Sequence, residues 1–189
     1  MRRRPRKLTR SRLRNGALYH LERYGSSEAQ LRRVLRRRVD RSLAAHAADE
    51  DDGGDERAVW IAYVDELLVE LKGLGLIDDA RLAAARARSL QQRGRSRAAI
   101  RANLRAKGLS SAVVDDALDA LEGDGERHAA IRFAKRRRLG PFAPPEVRAE
   151  RRRRHLAAMG RAGFDYGLAR SIVEGDADEL LEELPVRGW

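Results

Sequence analysis

Cysteine is absent from the 189 residues. That removes disulfides, thiolate nucleophiles and cysteine-based zinc sites. Aromatic residues make up only 5%, so a core must be built from Leu, Val, Ile and Ala. Proline is scarce, with five in the chain. No apolar run approaches the roughly 20 residues that cross a bilayer. The basic N-terminal stretch MRRRPRKLTRSRLRNGALYHL lacks the apolar centre of a signal peptide. The expected location is therefore the cytoplasm, with no membrane partner. His20, His46, His128 and His155 are scattered, and none takes a metalloprotease spacing. No glycine-rich nucleotide loop occurs, and GDGER near residue 125 lacks the alternating acidic ligands of a calcium loop. These absences predict a protein that is not an enzyme and has no catalytic residues, no metal and no cofactor.

What is present is charge and helix-forming composition. Charged residues reach 37%, the formal net charge is +11 and the isoelectric point is about 10.9. Such an excess directs a protein towards polyanions: nucleic acid, an anionic membrane or an acidic protein surface. Abundant Ala, Leu, Arg and Glu with few prolines favour helices over strands.

Helix starts and stops recur along the chain. In the middle, Asp78 is an N-cap candidate with Ile77 and Leu82 as a hydrophobic staple. The helix it opens runs to about Gln92 and Gly94 stops it. Ser96 caps a second helix with Ile100 and Leu104 on one face, and Gly108 ends it. Ser110 caps a third, whose apolar stripe is Val113, Val114, Ala117, Leu118 and Leu121. Upstream, a helix near 10–24 ends at Gly25. Ser27 then precedes Leu31 and Leu35 at the spacing of Ser96, Ile100 and Leu104, and Gln30 completes a capping box. Trp60, Tyr63, Val64, Leu67, Leu68 and Leu71 hold helical spacing in a further segment. Downstream, one helix is broken at Gly140-Pro141, a second has Pro145 near its start, and a third is capped by Asp165. Aligning Gly163 with Gly108 sets Met159 on Leu104, Phe164 on Leu109 and, as a poor match, His155 on Ile100.

The expected fold class is all-α: three tandem three-helix repeats in an elongated, curved array. The boundaries are a basic arm over 1–14, repeat 1 over 15–77 with an acidic loop at 49–56, repeat 2 over 78–123, repeat 3 over 124–175, and an acidic tail over 176–189 that is either a short helix or frayed. Each repeat is too small to bury much core alone, so neighbours should pack in a row.

Three stretches carry a family resemblance. They are GLIDDARLAAARARSLQQRGRSRAAIRANLRAKGL in the middle, RAGFDYGLARSIV near the end and ALYHLERYGSSEAQLRRVL near the start. The array resembles the RecX family, bacterial regulators of the RecA recombinase, over roughly residues 15–175. Leu82 and Ala87 depart from it, standing where the family often has aromatic or larger apolar residues. The basic arm and the 49–56 loop look like additions. The resemblance implies a non-enzymatic regulator, mainly an inhibitor, of RecA-mediated homologous recombination and DNA repair. It would lie in the groove of the RecA–DNA filament as a monomer and hinder ATP hydrolysis and strand exchange.

The acidic pair Asp78-Asp79 is the strongest motif for other chemistry, but it has no third carboxylate, histidine or phosphate loop nearby in sequence. A cap and staple account for it. The arginines are the remaining signal. Arg32 with Arg36, and Arg33 with Arg37, crowd one helix at i,i+4, as do Arg97, Arg101 and Arg105 on another. Each such like-charge pair costs about 0.2–0.5 kcal/mol. Further basic positions are Arg93, Arg95, Lys107, Lys135, Arg136, Arg137, Arg152 and Arg153. One reading is a set of solvated helix faces. The other is a continuous basic stripe for a long polyanion, either single- or double-stranded DNA alone or the RecA–DNA filament. The resemblance favours the filament. The alternative is a non-specific or helix-turn-helix DNA-binding protein, since the helices near 96–107 and 110–121 have suitable lengths.

Overall fold

The computed structural model of the chain describes residues 7–46, 53–121 and 123–185. Those residues form ten α-helices and one 3₁₀ turn, and no strand occurs among them. The helices are α1 (Arg10–Tyr24), α2 (Glu28–His46), α3 (Gly53–Gly73), α4 (Asp79–Gln92), α5 (Arg97–Ala106), α6 (Ser111–Asp119), α7 (Gly125–Arg137), α8 (Pro145–Arg161), α9 (Tyr166–Val173) and α10 (Ala177–Glu182). The chain divides into two compact units, one comprising residues 1–82 with 107–109, the other 83–106 with 110–189.

In the first unit α1, α2 and α3 enclose an aliphatic core. Leu13 and Ala17 come from α1, Leu31, Leu35 and Val39 from α2, and Val64, Leu67, Leu68 and Leu71 from α3. The spacing of three and four residues places each set on one helix stripe. Helix α1 occupies the 10–24 segment expected to be helical and ends at Gly25. Thr9 Oγ1 accepts the Arg12 N–H at 3.2 Å and Leu13 is fully buried. Arg10–Arg14, expected in a basic arm over 1–14, are therefore the first turn of α1. Of the expected 49–56 loop, residues 53–56 lie in α3, while 47–52 lie outside the described residues.

The second unit holds α4 from Ala83 onward and the helices α5 to α10. Its largest core cluster joins Ala130, Ile131 and Ala134 of α7 to Leu156 and Met159 of α8, Phe164, and Ala169, Ile172 and Val173 of α9. Helix α10, over the stretch read as helix or frayed tail, buries Leu180 in this cluster and is capped by Asp176. In α5, Ile100 and Leu104 are both fully buried. His155 is buried too, and its Nδ1 accepts the Gly140 N–H at 3.0 Å.

A single type of joint occurs once in each unit. Ser27 Oγ donates to the Lys107 carbonyl at 2.5 Å while accepting the Gln30 N–H at 3.2 Å. Ser96 Oγ donates to the Ala162 carbonyl at 2.6 Å while accepting the Ala99 N–H at 3.1 Å. Each serine thus caps its own helix and satisfies a carbonyl at the end of another. The residue after each serine is served by a carboxylate. Asp79 Oδ1 accepts the Glu28 N–H at 3.0 Å, and Glu126 Oε2 accepts the Arg97 N–H at 2.8 Å. Glycine allows the close approach: a Cβ on Gly108 would meet Ala29 Cβ at 2.7 Å, and one on Gly163 would meet Ala98 Cβ at 2.9 Å.

Candidate functional site

The sequence offers two candidate centres, the acidic pair and the arginines. Both carboxylates of the pair are engaged in backbone capping. Asp78 Oδ1 accepts the Arg81 N–H at 2.8 Å and closes the first turn of α4. Asp79 turns away to the start of α2, as described above. Burial raises the Asp79 pKa, the Glu28 N–H opposes that rise, and the Glu28 carboxylate adds to it. Ser110 and Asp165 serve α6 and α9 in the local way, Ser110 Oγ accepting from Val113 at 3.4 Å and Asp165 Oδ1 from Gly167 at 2.7 Å. No group of three or more His, Asp or Glu side chains suited to a metal occurs among the described residues.

The structure divides the basic residues into two classes. Those on one edge of each arginine-rich helix meet carboxylates of the helix that follows it. On α2, Arg32 pairs with Asp65 of α3 and with Glu28 at 2.9 Å, and Arg36 lies 3.8 Å from Asp65. On α5, Arg97 reaches Asp119 at 3.0 Å and Arg101 reaches Asp115 at 3.1 Å, both on α6. On α8, Arg152 pairs with Glu174 just after α9, which also takes Arg170 at 2.9 Å. The two guanidiniums hold the Glu174 carboxyl below its ordinary pKa. These exposed or half-exposed pairs each contribute about 0–1 kcal/mol to stability. Their larger effect is local neutralisation of arginines that repel one another at i,i+4.

Other cations on these helices have no such partners. Arg33 and Arg37 on α2, Arg105 on α5 and Arg153 on α8 are exposed, and none makes an ion pair among the described residues. Arg33 and Arg37 hydrogen-bond to backbone, through Ala29 O at 3.4 Å and Arg33 O at 3.3 Å. Arg93, Arg95, Lys135, Arg136 and Arg137 are likewise exposed. The Arg136 guanidinium donates to the Arg93 carbonyl at 2.5 Å, which draws the end of α4 and the end of α7 together. Lys107 is half-buried beside its joint.

Sequence reasoning missed Asp65, Asp115, Asp119 and Glu174. A usable signal existed for one set. Asp115 and Asp119 repeat at i,i+4 on α6, matching Arg97 and Arg101 on α5, and the two helices are joined by a short turn. It also missed Asp79 and Glu126 as caps of distant helices, for which the local sequence holds no sign.

The arrangement is a set of exposed cations on helices. Residues 78–118, which run from the α4 cap to near the end of α6, match the family model described as RecX, second three-helix domain. A regulatory protein RecX of Myxococcus xanthus is 41% identical over 175 residues, covering 92% of this chain and 90% of its own. That of Agrobacterium fabrum is 27% identical over 176 residues, covering 92% and 89%. That of Xanthomonas citri is 33% identical over 144 residues, covering 76% and 80%. No solved structure matches the chain. Identity of this level across nearly the whole length, with the capped α4–α6 segment at its centre, shows that the chain belongs to the RecX family.

Proposed function

We propose that this protein regulates RecA-mediated homologous recombination and DNA repair, mainly as an inhibitor. It would bind as a monomer along the groove of the RecA–DNA filament, needing no cofactor of its own, and hinder ATP hydrolysis and strand exchange. Family membership supports the choice of partner. The observation that carries the mode of binding is the division of the arginines into acid-paired and unpaired ones. On α2, α5 and α8 some arginines are neutralised by acids from within the chain, while Arg33, Arg37, Arg105 and Arg153 stay open. Cations so placed engage phosphates or acidic side chains without first breaking an internal pair. Few aromatics accompany them, so contact is with backbone charge rather than with bases.

The test is co-sedimentation with RecA filaments on single-stranded DNA, beside the same DNA without RecA, with ATP hydrolysis followed in parallel. Preferential retention on filaments and slowed hydrolysis are expected. Replacing Arg33, Arg37, Arg105 and Arg153 together by alanine should weaken both effects by at least about tenfold, given about 1.4 kcal/mol per factor of ten and four lost charges. Equal retention on DNA alone, with hydrolysis untouched, would replace the filament reading by plain DNA binding.

A further inference from the structure

Arg95, Arg137 and Arg161 converge on a pocket of 430 Å³ whose remaining lining is Phe133, Leu139, Ala158 and Ala162. All these residues belong to the second compact unit. We propose that this pocket is a peptide-docking site, which takes a carboxylate side chain on its three guanidiniums and a neighbouring apolar side chain on its aliphatic floor: an acidic–apolar segment of a partner protein.

The walls are fixed by backbone contacts. Arg95 follows Gly94, whose φ is +73°, and a Cβ there would stand 3.0 Å from both the Ala129 carbonyl and the Phe133 nitrogen. The α4–α5 turn therefore lies directly against α7. Ser96 Oγ ties the same turn to the Ala162 carbonyl at 2.6 Å, next to Arg161. On the third side Leu139 N–H donates to Ala134 O at 2.9 Å, fixing the end of α7 that bears Arg137. The arginines thus project from anchored backbone, which lowers the ordering cost of binding.

The joint itself does not call for these arginines. In the equivalent joint of the first unit, Ser26 precedes the capping serine and Ala106 precedes the accepting Lys107 carbonyl. Arg95 and Arg161 occupy the corresponding positions here. Arg95, Arg137 and Arg161 have no ion-pair partner among the described residues, whereas Arg97, Arg101 and Arg152 are matched from within the chain.

The floor favours a peptide over nucleic acid. The single ring, Phe133, is buried against Phe164 with centroids 5.4 Å apart, and the guanidiniums of Arg136 and Arg137 lie 5.7 and 6.0 Å from its centre. No open ring is left on which a base could stack. A phosphodiester would leave Leu139, Ala158 and Ala162 uncovered. A carboxylate accepts the planar, bidentate hydrogen bonds that guanidinium groups offer, and an adjacent leucine would cover the alkyl floor.

The inference goes beyond the filament reading, and its test contains no recombinase. Full-length protein is titrated into fluorescein-labelled peptides Gly-Asp-Glu-Asp-Leu-Gly and Gly-Asp-Glu-Asp-Ser-Gly, and into a labelled oligo-dT. The leucine peptide should bind about tenfold more tightly than the serine peptide, the worth of one buried aliphatic side chain. Replacing Arg95, Arg137 and Arg161 by alanine should weaken it at least about tenfold, while the equally charged control, Arg33, Arg37 and Arg105 to alanine, shifts it by under about twofold. Ala158→Glu, which sets a carboxylate among the three guanidiniums, should abolish it with the helical circular-dichroism signal retained. If Ala158→Glu unfolds, the triple arginine variant decides, since all three side chains are exposed. Equal binding of the two peptides, equal loss in both triple variants, or loss confined to oligo-dT would each overturn the proposal.

Discussion

A half-buried carboxylate and a buried histidine set how single residues respond to pH. Asp79 is half-buried, its pKa is raised chiefly by burial, and it caps α2 rather than its own helix. Because the folded state holds the proton more tightly than the unfolded one, ionised Asp79 opposes folding at neutral pH. That opposition vanishes as pH falls below its ordinary value of 3.8. Asp79→Asn keeps an oxygen for the Glu28 N–H and removes the ionisation cost. It should leave the urea midpoint at pH 7 unchanged or higher. Asp79→Ala removes the acceptor and should cost about 1 kcal/mol. If Asn and Ala prove equally destabilising, the cap is not what holds α2. His155 behaves with the opposite sense. Burial, followed by the Arg151 charge, lowers its pKa, and its Nδ1 must stay unprotonated to accept from Gly140. The unfolded chain takes up a proton near pH 6.5 while the folded chain resists it, so stability falls as pH drops below that value. Unfolding free energies at pH 7.5 and 5.5 should differ, and His155→Gln should reduce the difference. The residue left in the variant includes His20, lowered by burial and then by Arg38.

At the scale of helices, one stop recurs. After α3, α4 and α8, Gly75, Gly94 and Gly163 take positive φ, and the following residue bonds back across the last turn, as Leu76 does to Leu71, Arg95 to Leu90 and Phe164 to Met159. After α7 the same pattern runs through Leu139 and Ala134, but Arg138 stands at the left-handed position with φ 53°. An arginine there costs about 1 kcal/mol relative to glycine. Arg138→Gly should therefore raise stability by about that amount in urea titration, and a loss of stability would show that the side chain is needed for folding. The acid-paired helix edges yield a second expectation. Asp115→Asn with Asp119→Asn releases Arg97 and Arg101 from α6. Stability should change by less than about 1 kcal/mol per exposed pair. Affinity for DNA or filament should rise, and a fall would mean that the acids themselves contact the partner.

For the whole molecule, the net charge of +11 makes ionic strength the natural variable. Each cation that meets a single-strand phosphate steepens the fall of log affinity with log salt by about 0.7. The slope for binding single-stranded DNA should therefore lessen when Arg33, Arg37, Arg105 and Arg153 become alanine. It should lessen much less for Arg32→Ala with Arg152→Ala, whose charges are already matched by Asp65 and Glu174. Equal slopes for the two variants would show that the internal pairs open on binding.

Helix starts were legible in the sequence because a cap is local. Ser27, Asp78, Ser96, Ser110 and Asp165 each accept from an N–H two or three residues ahead. The apolar stripes were legible for the same reason, since helical spacing fixes which side chains share a face. The helix over 10–24 was legible as well, but the arm drawn over 1–14 overlapped it, and Thr9 with the buried Leu13 place Arg10–Arg14 in α1. Repetition of like charges at i,i+4 suggested a continuous cationic stripe, but the sequence could not say which arginines stay open. That depended on Asp65, 33 residues from Arg32, and on Asp119, 22 residues from Arg97. The second role of Ser27 and Ser96 was equally hidden, for the carbonyls they reach lie 80 and 66 residues away. Local spacing determines helices, caps and buried faces, because those depend on atoms within a turn or two. Which charges are neutralised, and which converge on one pocket, was decided only when packing brought distant carboxylates, carbonyls and guanidiniums within hydrogen-bond reach.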